Sequence, residues 1–119
     1  MLIGLDHVQL AMPRGGEERA RAYFAGLLGL AEVEKPPALA GRGGVWFALP
    51  DGRLPHLGVE EPFRASAKAH PAFGCGDLDG LALRLDEGGY AARWDEELAP
   101  RRRFYAEDPF GNRVEFIGS

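Results

Sequence analysis

Displacing the chain against itself by 59 residues lays Val45 on Phe104, Trp46 on Tyr105, Gly52 on Gly111 and His56 on Glu115. Nearer the start of each half, His7 falls on His70 at a displacement of 63. The difference places a few extra residues in the first half, in the stretch 36–44. Identity between the halves is low, so what repeats is a pattern of strand, turn and polar positions. A repeat of this kind restricts the fold severely, because each copy must be one supersecondary unit that cannot bury its apolar face alone.

Local signals give both copies the same element order. Glu17 to Leu28 carries Ala20, Tyr23, Phe24, Leu27 and Leu28 at helical spacing, and Gly29 follows as a stop. A second helix is predicted from Leu78 to Glu87, with Asp77 as N-cap, Leu81 and Leu85 on one face and Gly88-Gly89 at its end. Strands are predicted at 3–11, 30–35, 43–49, 54–59, 70–75, 90–95, 102–107 and 112–117. Asp51-Gly52 and the run Asp108 to Asn112 supply turns. The order is strand, helix, three strands, twice over. This is an α+β fold of two βαβββ modules, roughly 1–60 and 68–119. The stretch Glu60 to Ala69 is too short to separate independent domains, and a module of ~55 residues is marginal alone. One domain over 1–119 is therefore expected.

Composition bounds the function classes. A net charge of −4 on 119 residues gives no electrostatic footprint for nucleic acid or an anionic membrane. No apolar run approaches the ~20 residues a membrane span needs, and residues 1–10 lack the pattern of a signal peptide. Cys75 is the one cysteine, so no internal disulfide forms, and a reducing cytoplasm is the expected setting.

The chain has three histidines. Any one alone is more often a satisfied structural residue than a ligand. Here all three, with one carboxylate, fall on repeat-related positions: His7, His56, His70 and Glu115. Strand alternation puts each on a face with small or polar neighbours, Gly58, Ala72 and Gly74 among them, while Leu57, Val59, Phe73, Val114 and Phe116 take the opposite faces. A sheet face with polar ligands and small neighbours can line a cavity. Three neutral imidazoles and one carboxylate suit a divalent transition metal, with Zn, Ni, Fe(II), Co and Mn all admitted. Tyr105 is a candidate hydrogen-bond donor to substrate or else a core residue. Gln9, one step from His7 on the same face, is a candidate substrate contact. The Arg101–Arg103 run is either an attractor for anions or a solvated loop.

The segment Leu5-Asp6-His7-Val8-Gln9-Leu10, the ending Asp108-Pro109-Phe110-Gly111-Asn112-Arg113-Val114-Glu115-Phe116 and the paired modules together resemble the vicinal oxygen chelate superfamily, the glyoxalase/bleomycin-resistance/extradiol-dioxygenase group. The resemblance covers essentially the whole chain. It implies that each module curls its sheet and that two modules form a cup around a divalent metal. The ligands implied are His7, His56, His70 and Glu115, and the chemistry begins with chelation of two neighbouring oxygens of a small-molecule substrate. In short members similar to this chain, two chains exchange modules, so a homodimer with shared sites is implied; open sheet edges favour pairing as well. Lactoylglutathione lyases carry a carboxylate where this chain has His56, which leaves His56 either a fourth ligand or a base. Fosfomycin-modifying thiol transferases resemble the chain at His7, His70, Tyr105 and Glu115 but carry a lysine- and serine-bearing loop where it has 94–103. Extradiol dioxygenases need a further catalytic histidine, a part only His56 could fill. The expected function is a metal-dependent lyase, isomerase, thiol transferase or dioxygenase. The alternative is a metal-free binding protein of the bleomycin-resistance type.

Overall fold

The computed structural model describes all of residues 1–119, which divide into two compact units, Met1–Arg64 and Ala65–Ser119. In the first unit β1 (His7–Met12) leads to α1 (Glu17–Ala20), which continues as a π-helical stretch, Arg21–Leu27. Then come β2 (Ala31–Val33), a 3-10 stretch (Pro37–Arg42), β3 (Val45–Ala48) and β4 (Leu54–Val59). The second unit runs β5 (Ala72–Cys75), α2 (Leu78–Glu87), β6 (Arg93–Asp95), β7 (Arg103–Glu107) and β8 (Arg113–Gly118). The two mixed sheets have the same topology, β1-β4-β3-β2 and β5-β8-β7-β6. In each, the first strand pairs parallel with the fourth and the others pair antiparallel.

The ladder reproduces the sequence repeat residue by residue. Trp46 pairs with His56, and Tyr105 with Glu115. Gln9 lies opposite His56 and Ala72 opposite Glu115, so His7 and His70 hold equivalent places two residues earlier. Gly52 and Gly111, at φ +88 and +89, turn the chain before the last strand of each unit. That left-handed conformation is open to glycine at little cost.

Helix existence follows the apolar spacing. In the first unit Ala20, Tyr23 and Phe24 are buried with Leu10, Met12, Val45, Phe47 and Leu57. Phe24 stacks on Phe47 at 5.5 Å. The helix loosens into π geometry toward its end, where Leu28 N–H reaches the Tyr23 carbonyl at 2.9 Å, and Gly29 at φ +77 ends it. In the second unit Asp77 caps α2 by accepting from Gly80 N–H at 2.9 Å. Leu78, Ala82 and Leu85 are buried, as are Phe73, Phe104, Val114 and Phe116.

Four strands start two or more residues later than expected: those predicted from 3, 43, 70 and 90 begin at His7, Val45, Ala72 and Arg93. Strand β4 begins at Leu54, whose partner is His7, so residues before His7 have no ladder to join. Leu2, Ile3 and Leu5 are consequently exposed. His70 sits just ahead of its strand rather than in it.

The turn before β8 is held by a buried polar knot. Asp108 Oδ1 accepts from Phe110 N–H and Asn112 N–H, and its Oδ2 accepts from the Asn112 amide, each at 2.9 Å. Asn112 Oδ1 in turn accepts from Ser66 N–H at 3.0 Å. Burial pushes the Asp108 carboxyl up, and these donors pull it back only in part. Asp108→Ala would remove a carboxylate acceptor from three buried donors. At about 1–3 kcal/mol for an unsatisfied buried group, chemical denaturation should read a loss of at least ~2 kcal/mol. A change under ~0.5 kcal/mol would mean that water replaces the carboxylate.

Candidate functional site

In the first unit the ladder gathers His7, Gln9, His56, Gly58 and Trp46 on one face of the sheet. His56 is 4% exposed and lies between two rings. Trp46 stacks on it at 3.7 Å and 6°, and His7 at 4.6 Å and 16°. Its Nε2 is buried and has no hydrogen-bond partner. Burial, and then the neighbouring His7, hold the His56 imidazole below its usual pKa and so favour the neutral ring. His7 Nδ1 meets Asp6 Oδ1 at 2.9 Å. A carboxylate oxygen accepts, so Nδ1 is the donor and the lone pair of a neutral ring falls on Nε2. The room expected beside Gly58 is taken by Gln9, whose amide nitrogen lies 2.5 Å from where a Cβ would stand.

In the second unit the corresponding face carries His70, Glu115, Tyr105, Arg103 and Arg113. His70 Nδ1 lies 2.9 Å from the Lys68 carbonyl. A carbonyl can only accept, so here too Nδ1 donates and the lone pair of a neutral ring falls on Nε2. That Nε2 faces Glu115 Oε1 at 2.9 Å. Two lone pairs at this distance need a cation, a proton or a metal ion, to hold them. Glu115 is 5% exposed, and Arg103 reaches its second oxygen at 3.4 Å. Tyr105 is buried, edge-on to His70 at 5.4 Å, with the Arg113 guanidinium 4.1 Å and that of Arg103 5.2 Å from its ring centre.

Each unit thus brings together two of the four predicted donors, His7 with His56 and His70 with Glu115. The donor chemistry fits a divalent transition metal. The orphaned His56 Nε2 is a buried ring nitrogen without a partner, and His7 and His70 are both turned with Nδ1 on an oxygen, the arrangement that orients a metal-bound imidazole.

The arginine run proves mainly structural. Arg101 donates to the Gly118 carbonyl, and Arg102 forms a two-pronged pair with Asp79 while lying over Trp94. Arg103 bridges Asp95 and Glu115. A cavity of about 510 Å³ beside Trp94 is lined by these arginines and by Asp79 and Asp95. Strand alternation alone sets Arg113 on the face of Glu115 without giving it a role, and Arg103 enters the sequence reading only as part of a charged run. The same alternation in β7 would have put Arg103 on one face with Tyr105.

The glyoxalase/bleomycin resistance protein/dioxygenase superfamily matches residues 4–116. The chain belongs to that superfamily. It is 40% identical to a protein from Bacillus anthracis assigned to the glyoxalase family, with a TM-score of 0.95 over 100% of this chain and 97% of that one. The genomically encoded fosfomycin resistance protein of Listeria monocytogenes shares the fold at 16% identity and TM-score 0.79, over 100% and 95% of the two chains. So does the lactoylglutathione lyase of Agrobacterium tumefaciens, at 20% identity and TM-score 0.74, over 98% and 93%. No curated protein matches the chain. No helix is long and apolar enough to cross a membrane.

Proposed function

We propose that the chain is a metal-dependent enzyme acting on a small oxygenated substrate, with His7, His56, His70 and Glu115 as ligands of one divalent ion. The observation that carries this reading is the orientation of the two equivalent histidines. Both spend Nδ1 on an oxygen acceptor and leave Nε2 for a ligand. The ion, Zn, Ni, Fe(II), Co or Mn, would supply Lewis acidity toward two neighbouring substrate oxygens. Around it the chain's own groups divide the work. Trp46 holds the His56 ring flat, and Arg103 holds the far oxygen of Glu115. Tyr105 is the candidate proton donor to substrate, and Gln9 the candidate contact beside His56. Both modules belong to one domain, and two chains form a homodimer in the cytoplasm. Lyase, isomerase, thiol transferase and dioxygenase chemistry are all compatible with such a site.

Protein purified without chelator should carry one divalent ion per chain by elemental analysis. Chelation should lower the melting temperature, and one of these metals should restore it. Absence of both bound metal and stabilisation by any of them would sink the reading. A second reading, a metal-free binder of the bleomycin-resistance type, draws on the His70–Glu115 contact, which joins two of the proposed ligands without a metal once a proton lies between them. It predicts a melting temperature indifferent to chelator.

A further inference from the structure

On the site face of the second unit Arg103 pairs with two carboxylates, whereas no carboxylate reaches hydrogen-bond distance of Arg113. Arg103 takes Asp95 at 3.3 Å and Glu115 at 3.4 Å. Arg113 is half-buried and lies 4.1 Å over the Tyr105 ring, yet its Nε is buried without any hydrogen-bond partner. Glu107 stands opposite it in the ladder but is exposed and does not pair with it. Asp95 feels the charge of Arg113 but makes no hydrogen bond with it, and an aromatic face returns only part of the cost of desolvating a guanidinium. The fork geometry of arginine matches a carboxylate or phosphonate.

Resting on the reading above for the site, we propose that Arg113 receives an anionic group of the substrate, so that the substrate class is a small carboxylate or phosphonate whose charged end lies over Tyr105, beside Glu115. Tyr105 then works as a platform that holds the guanidinium flat, and Arg103 keeps Glu115 and Asp95 from competing for it.

The probe is methylphosphonate, titrated calorimetrically into the purified chain with and without chelator, with acetamide as a neutral control. Saturable binding of methylphosphonate but not acetamide is expected under both conditions. Arg113→Gln should weaken it at least ~10-fold, the size of one lost charge-assisted contact. Arg113→Lys should retain part of the affinity, and Arg93→Gln, an exposed cation on the same face, should leave it unchanged. Arg113→Gln should also keep the melting temperature within a few degrees, since the side chain anchors no carboxylate. Binding that vanishes with chelator and ignores Arg113→Gln would place the anion on the metal, overturning this proposal while leaving the metal reading intact. No saturable binding, or equal binding by Arg113→Gln, also overturns it.

Discussion

His56→Ala is expected to weaken divalent-metal binding at least ~10-fold, because loss of a direct ligand costs no less than the ~10–100-fold seen for groups behind the ligands. The side chain is 4% exposed and sandwiched between Trp46 and His7, so it has one rotamer to offer and no solvent to satisfy its Nε2. A metal ion would supply the missing partner. If His56 is instead a base beside a three-ligand site, metal content stays and turnover falls by ~10²–10⁴. Elemental analysis beside a rate measurement separates the two, and no change in either would remove His56 from the site. The same residue sets a pH dependence in the chelated chain. Its folded pKa lies below 6.5, so as pH falls through 6.5 the unfolded chain takes up a proton that the folded chain refuses. Stability should fall with pH in that window, and His56→Ala should flatten the slope. An unchanged slope would mean that the stacked ring is hydrated.

How far this site could be read beforehand depends on the element. The repeat and strand alternation sufficed to mark His7, His56, His70 and Glu115 as related positions and to put Gln9 on the face of His7, because side-chain direction in a strand has period two; the places of Trp46 beside His56 and of Tyr105 beside Glu115 come only with the ladder register. Helix α2 was legible to the residue, since its cap and its glycines are local signals. What was not legible depends on contacts distant in sequence. The start of β1 is set by where β4 begins, and the division of Arg101 to Arg103 into three different jobs is set by Gly118, Asp79 and Glu115. The Nδ1 contacts of His7 and His70 were likewise hidden, although Asp6 beside His7 is a visible hint once the ring's orientation is known.

Mixing chains tests whether the two pairs of ligands meet between subunits. His7→Ala damages the pair in the first unit and Glu115→Ala the pair in the second, so each variant alone should lose metal binding by ~10-fold or more, as for a direct ligand. Suppose two chains share their sites across a two-fold axis. A mixed dimer then has one site with both lesions and one with neither. After full exchange at equal amounts about half the dimers are mixed, and about one quarter of all sites should bind metal with wild-type affinity. If each chain closes its own site, both kinds of chain stay broken and nothing is recovered. The fold favours association: β1 and β5 are edge strands of their sheets, and Leu2, Ile3 and Leu5 are at least 77% exposed in the single chain. Exchange must first be verified, for example by mass spectrometry of tagged chains. Absence of recovery after verified exchange rules out the shared site. A monomer at micromolar concentration in ultracentrifugation would rule out the dimer, whichever way the metal measurement falls.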